Sequence, residues 1–307
     1  MHELFTWVVE PGFFTSEPVR TAAVLGGVVA VVSAVVGVFT VMRGQSFGGH
    51  ALGDVAAAGG SGALLSGLSP VTGFVGLSVV GAGVMDMIGV ARVRGRDLAT
   101  GIVLGAAIGL SALFLYLGTT AGATTGATQQ VLFGSIFTTT STTIPVVVTF
   151  SVLALGAIAV IWRPLLLATA SPDIAAARGV PVRLVGLVYI SALAVAVGLS
   201  SLSIGAILST ALLIGPAATA LRLTRRMSSA LLLAAVTGVA ATWLGILLAY
   251  DSYYWGAAHQ GLPVSFFIVA VIFAAYLLTG LPGRRTAARP GETAAQAAGA
   301  TRGQVTA

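Results

Sequence analysis

The sequence predicts an all-α, polytopic membrane protein, and three observations carry that reading. Of its 307 residues 57% are hydrophobic and only 8% are charged, with a mean hydropathy of +1.01. A soluble domain carries roughly 25% charged residues, so this chain lacks the polar surface that would face water. A cytosolic enzyme with a single core, a disordered chain and a nucleic-acid-binding protein are all excluded. The apolar residues also fall in runs close to 20 residues, the length a helix needs to cross a hydrocarbon core of about 30 Å. Finally, the arginines gather on one side of the threading that those runs imply. The pI near 10.5 therefore reflects basic loops rather than affinity for nucleic acid.

The runs lie near 19–42, 48–68, 71–91, 98–118, 143–162, 184–200, 203–221, 228–250 and 264–281. They give about nine transmembrane helices, with eight as the alternative count, and nine crossings place the two ends on opposite sides. The stretch 128–139, containing Leu132-Phe133-Gly134, is too short to span and reads as a surface or re-entrant helix. With the N-terminus outside and the C-terminus cytoplasmic, Arg43, Arg92, Arg94, Arg96, Arg163, Arg178, Arg183, Arg222, Arg225, Arg226, Arg284, Arg285, Arg289 and Arg302 all face the cytoplasm. Only Arg20, beside Glu17, falls outside. The outer loops at Ser69-Pro70, 119–130, Leu202 and 251–263 hold no arginine, as the positive-inside rule predicts. All the basic residues are Arg, and there is neither Lys nor Cys. Disulfides and thiolate metal sites are thereby excluded.

Three segments lie outside the membrane core. Residues 1–18 carry Glu3, Glu10 and Glu17 but no arginine; they lack the basic start of a signal peptide and read as an extracytoplasmic N-terminal segment. Residues 19–282 form the transmembrane domain. Residues 283–307, rich in Ala, Gly, Thr and Arg, read as a disordered cytoplasmic tail. Within the domain, 171–183 is Ser-Pro-Asp-Ile-Ala-Ala-Ala-Arg-Gly-Val-Pro-Val-Arg. Ser171 is a natural N-cap, Pro172 suits the first helical position and Asp173 complements the helix dipole. Gly179 can close the helix in the left-handed conformation, and Pro181 prevents its resuming. The product is a helix of about two turns on the cytoplasmic face. The caps alone fit a docking element or a plain loop.

Ionisable groups inside a span cost about 2.5–3.5 kcal/mol on insertion scales and are functional candidates by default. Here they are His50 and Asp54 in the second span and Asp86 in the third. His50 and Asp54 stand at i and i+4, on one helix face. A helix starting near Gln45 places Asp54 roughly 13 Å in, close to the bilayer midplane. An imidazole nitrogen beside a carboxylate oxygen makes half of a first-row divalent metal site. Gly48, Gly49, Gly53, Ala56, Ala57, Ala58, Gly59, Gly60, Ser61 and Gly62 make the helix thin, so neighbours approach closely. The residues by themselves fit two readings equally: a metal pathway, or a His–Asp pair that only fixes helix packing. Asp86 reads as a partner for Arg92 or another base. Asp251 and His259 read as residues of a solvated outer loop, with Tyr253, Tyr254 and Trp255 as an interfacial belt. Pro216 should kink the seventh span.

No catalytic constellation is present. Without Lys there is no Gly-Lys-Ser or Gly-Lys-Thr phosphate loop, so the chain has no P-loop ATPase of its own, and there is no His-Glu-x-x-His.

Four stretches resemble a known family, the permease subunits of metal-type ABC importers, which carry zinc, manganese or iron(II). They are Arg43-Gly-Gln-Ser-Phe-Gly-Gly-His-Ala-Leu-Gly-Asp54, Leu132-Phe-Gly-Ser-Ile136, the block from Arg163-Pro-Leu to Ser171-Pro-Asp-Ile-Ala-Ala-Ala-Arg-Gly-Val-Pro181, and Gly205-Ala-Ile-Leu with Ile214-Gly-Pro-Ala-Ala-Thr-Ala220 and Thr224-Arg-Arg226. In order they span most of 40–282. The family's second-span site typically reads Asp-x-x-x-His; here the order is reversed, with the two ligands on one face and their depths exchanged. The resemblance implies a homodimeric permease in a bacterial inner membrane, surrounded by lipid. Two cytoplasmic ATPase subunits and an extracytoplasmic metal-binding protein would be separate chains. It makes His50 and Asp54 metal ligands, and makes Ser171, Pro172, Asp173, Ala176, Ala177, Arg178 and Gly179 the coupling helix that enters the ATPase. The chain would not be an enzyme by itself and would hold no permanent cofactor, the partner using the ATP. Imidazole favours zinc as cargo, with manganese next. Two other classes remain: an ion-coupled secondary transporter using His50 and Asp54 as a relay, and a membrane scaffold in which the pair serves only folding.

Overall fold

The computed structural model describes residues 16–88, 96–120, 126–134, 136–253 and 261–280. Most of the 1–18 segment, the whole 283–307 tail, and Arg92 and His259 lie outside these residues. Among the described residues there is no strand. The helices are α1 (Glu17–Met42), α2 (Ser46–Ser66), α3 (Pro70–Ile88), α4 (Arg96–Thr120), α5 (Gly126–Phe133), α6 (Ile144–Val160), α7 (Trp162–Ala170), α8 (Pro172–Ala177), α9 (Val182–Ile204), α10 (Ala206–Leu223), α11 (Met227–Ser252) and α12 (Val264–Leu278).

A helix stands at each of the nine predicted crossings. Seven of them, α1, α3, α4, α6 together with the 3-10 turn that leads into it (Ser141–Val160), α9, α10 and α11, are both long and apolar enough to span. The other two fall short for different reasons. α12 has only 15 residues. α2 has 21, but His50, Asp54 and its glycines dilute its hydropathy. Such a helix is stable in a membrane only where protein surrounds it. α2 is indeed enclosed by α3, α4, α9 and α10.

The packing has two groups joined by α9. In one, α1 is wrapped by α6, α9, α10 and α11, and α12 lies on α10 and α11; in the other, α2 is held by α3 and α4. Burial ranks these positions. The most apolar window of α1 is 67% buried inside the protein, against 28% for α4 and 22% for α6. Helices apolar all round belong inside a bundle or against lipid, so α1 is central and α4 and α6 are peripheral.

Lipid tails offer helices no hydrophobic drive to associate, so contact rests on close van der Waals packing. At the α2–α3 crossing the backbones touch. A Cβ on Gly59 would lie 2.1 Å from the Gly73 carbonyl oxygen, and one on Gly73 would lie 2.4 Å from that of Gly59. The short helix α5 is seated by a second such contact. Gly134, just past its end, has φ +87° and Gly205, the single residue between α9 and α10, has φ +89°. A Cβ on Gly205 would lie 2.1 Å from the Leu132 carbonyl oxygen, and one on Gly134 would lie 2.4 Å from that of Ser203. The segment read as too short to span thus docks end-on against the α9–α10 junction.

Two positions expected in outer loops, Leu202 and Asp251, are helical instead. Leu202, read as an outer loop between spans ending at 200 and starting at 203, lies in the last turn of α9, where Ser200, Ser201 and Ser203 are buried. The hydroxyl of Ser203 donates to the Leu199 carbonyl and that of Ser200 to the Ser209 carbonyl. Hydroxyls that bond back to main chain need no water, so Ser200 and Ser203 are accommodated inside the bundle. Likewise Asp251, expected in a solvated loop, is 6% exposed in the last turn of α11. The adjoining Ser252 hydroxyl accepts from the Leu262 amide, which ties the residues just before α12 to that end of α11. Pro216 sits within α10, and that helix continues on both sides of it.

Candidate metal site and coupling helix

His50 lies one turn into α2, and Asp54 stands eight residues on from Ser46, about 12 Å along the axis and near the middle of the helix. The structure brings the predicted pair together. His50 Nε2 is 3.7 Å from Asp54 Oδ2. Two ligand atoms around a tetrahedral first-row cation lie about 3.4 Å apart, so a small rotamer shift brings both onto one ion. At 3.7 Å the contact is not a hydrogen bond, and Asp54 Oδ2 is buried without a hydrogen-bond partner.

Sequence reading missed Thr210. Its Oγ1, on α10, is 3.1 Å from His50 Nδ1. Metal-ligating imidazoles characteristically engage their second nitrogen in this way, which fixes the ring and its tautomer. When Nδ1 donates to Thr210, the Nε2 lone pair faces Asp54. No signal in the sequence marks this threonine, because the contact joins positions 160 residues apart. The approach depends on Gly53, whose missing side chain lets α2 close on Ser209; a Cβ there would lie 3.0 Å from the serine oxygen. Thr210→Val should keep the helix packed while freeing the ring. We expect metal affinity to fall about 10-fold or more, with protein yield unchanged, as read by titration of the purified protein. Thr210→Ser should restore it.

The site is incomplete within one chain. Among the described residues no group of three His, Cys, Asp or Glu is positioned to hold a metal. His50 nevertheless keeps 44% of its side-chain surface open and Asp54 20%, although Asp54 Oδ2 itself is buried. Asp86 is half-buried near the end of α3, and its expected partner Arg92 lies outside the described residues.

The predicted cytoplasmic helix is α8, capped as its residues dictate. The Ser171 hydroxyl accepts from the Ile174 amide at 3.4 Å, Pro172 occupies the first turn and Asp173 lies beside the positive dipole end. At its C-terminus Gly179 has φ +77°. Its amide bonds to the Ala176 carbonyl and the Val180 amide to the Ala175 carbonyl, the paired bonds of a Schellman motif. Ala175 is fully buried and anchors the helix, whereas Pro172, Asp173, Ala176, Ala177, Arg178 and Gly179 are exposed. Ile174, absent from the expected set, is 52% exposed. An aliphatic side chain held outward on a rigidly capped two-turn helix suits insertion into a partner.

Comparison with known proteins agrees with this architecture. Residues 15–279 match the ABC 3 transport family. The chain is similar in fold to PsaBC from Streptococcus pneumoniae in complex with Fab, with a TM-score of 0.77 and 22% identity over 92% of this chain and 97% of that one. It is also similar to a metal-chelate type ABC transporter in an inward-facing conformation, with a TM-score of 0.69 and 17% identity over 88% of this chain and 87% of that one. No curated protein matches in sequence. On a family match spanning nearly all the described residues, the chain belongs to the ABC 3 transport family, the permeases of metal-type ABC transporters.

Proposed function

We propose that this permease carries a divalent transition metal into the cytoplasm, zinc first and manganese next, through a pathway shared by two copies of the chain. The observation that carries the reading is the His50–Asp54 pair. It lies mid-helix, brings two donor atoms to 3.7 Å and leaves His50 partly open on a protomer that supplies no third ligand among its described residues. Facing lipid, such a pair would cost several kcal/mol. Facing its symmetry mate, it would offer two imidazoles and two carboxylates, close to the four ligands zinc takes. Both donors bind a cation only in their unprotonated forms, so loading falls away in acid.

Release requires that this site be transient. In this reading α8 of each copy enters a cytoplasmic ATPase subunit, and closure of the two ATPases moves the α8 helices and switches which side of the pathway is open. A metal-binding protein outside the membrane supplies the cargo. The N-terminus is then extracytoplasmic and the arginine-bearing turns face the cytoplasm of a bacterium, as charge asymmetry favours.

The test is uptake of radioactive zinc and manganese into cells expressing the chain with its operon partners, with and without ATP depletion. We expect ATP-dependent uptake of zinc, competed by manganese. Uptake that survives ATP loss but collapses with the proton gradient would assign the chain to secondary transport, and uptake of neither metal would overturn the cargo.

A further inference from the structure

The cytoplasmic end of α1 is fastened to both flanks of the coupling helix. Arg43 caps α1, and the next residue but two, Ser46, begins α2. The Arg43 guanidinium donates through Nη1 to Thr169 Oγ1 at 3.3 Å and lies over the Tyr189 ring, 4.9 Å from its centroid. Thr169 is on α7, two residues before the Ser171 cap of α8, and Tyr189 is on α9, which follows α8. Tyr189 is 1% exposed. Its hydroxyl lies 2.9 Å from Thr40 Oγ1. The Thr40 proton is already committed to the Val36 carbonyl, so Tyr189 donates to Thr40. The other end of α7 is held too, with Trp162 packed edge-on against Phe39 of α1 at 5.4 Å.

An arginine that serves only the positive-inside bias reaches outward to water and phosphate. This one turns inward over a buried ring. It spans the two helices that bracket α8, and its own main chain leads through Gly44, at φ +62°, into the helix that bears His50 and Asp54. We propose that Arg43, with Tyr189 and Thr169, is a positioning clamp that transmits displacement of the coupling helix to the metal-bearing helix. The inference rests on the permease reading above. A planar guanidinium bonds Thr169 and stacks on Tyr189 at once; an ammonium does one or the other. Removing the clamp leaves α8 and the metal pair intact but lets them move independently.

The test uses the permease with its ATPase subunit and its metal-binding protein, reconstituted in liposomes of defined composition, with zinc as the probe and metal moved per ATP hydrolysed as the readout. For Arg43→Ala we expect unchanged co-purification of the ATPase, basal ATP hydrolysis within about twofold, and about a 10-fold drop in zinc moved per ATP. Thr169→Val and Arg43→Lys should give partial drops, and Arg43→Ala with Thr169→Val should be no worse than Arg43→Ala alone, because both break one linkage. Wild-type coupling in Arg43→Ala would overturn the clamp. If Arg43→Ala does not accumulate, Thr169→Val decides, and a wild-type ratio there overturns it equally. A wild-type complex that moves no zinc on ATP would remove the permease reading and the clamp with it, whereas a coupled wild type with an equally coupled Arg43→Ala would remove the clamp alone.

Discussion

Asp54→Asn should reduce metal uptake by at least about 100-fold while membrane abundance stays at the wild-type level. The substitution keeps shape and volume, so α2 still packs between α3, α4, α9 and α10. It exchanges a carboxylate oxygen, buried and without a hydrogen-bond partner, for an amide that binds first-row cations weakly. Two copies would lose both negative charges from the pathway at once. Loss of a single outer-shell contact costs about 10–100-fold in metal affinity, and loss of a ligand exceeds that. His50→Ala should behave alike, and the double variant should be no worse than either single one, since a divided site fails as a unit. Uptake measured at matched membrane abundance checks the effect. Unchanged uptake in both variants would reduce the pair to a packing contact.

Gly205→Ala should be a severely damaging change for a single methyl group. At φ +89° and ψ 156° the residue occupies a region that essentially only glycine adopts, and forcing another residue there costs about 1–3 kcal/mol. The added Cβ would also meet the Leu132 carbonyl oxygen at 2.1 Å and the Gly134 amide nitrogen at 2.6 Å. Backbone atoms on both sides leave no side chain to yield. We expect a total loss on the order of 3 kcal/mol or more, seen as a lower unfolding temperature in detergent and a lower yield. Gly186→Ala is the control. That glycine lies inside α9 with open space where its Cβ would stand, so alanine there should be neutral or slightly stabilising, by helix propensity. Equal behaviour of the two variants would show that the α5 docking contact carries no stability.

The all-α membrane fold was legible because a span must satisfy its own main chain and be apolar over about 20 residues. Those demands are local and leave marks in order along the chain. The α8 helix was legible for the same reason: its Ser cap, early proline and closing glycine, Ser171 to Gly179, act within nine residues. The His50–Asp54 pair was legible too, because i and i+4 share a face in any α-helix. Where local cues misled, the neighbours explain why. The serines around Leu202 and the carboxylate of Asp251 are polar by sequence but buried by helices that only folding brings beside them.

What the chain determined by itself is therefore its class, the places of its helices, the caps of α8 and the two donor atoms on α2. What tertiary structure decided is everything that joins distant segments. It set Thr210 on His50, seated Gly134 against Gly205, and placed Arg43 between Thr169 and Tyr189. The physical reason is range. Capping, helix periodicity and hydropathy act over a few residues, whereas these contacts depend on how closely backbones approach, which the neighbouring helix controls as much as the residue itself.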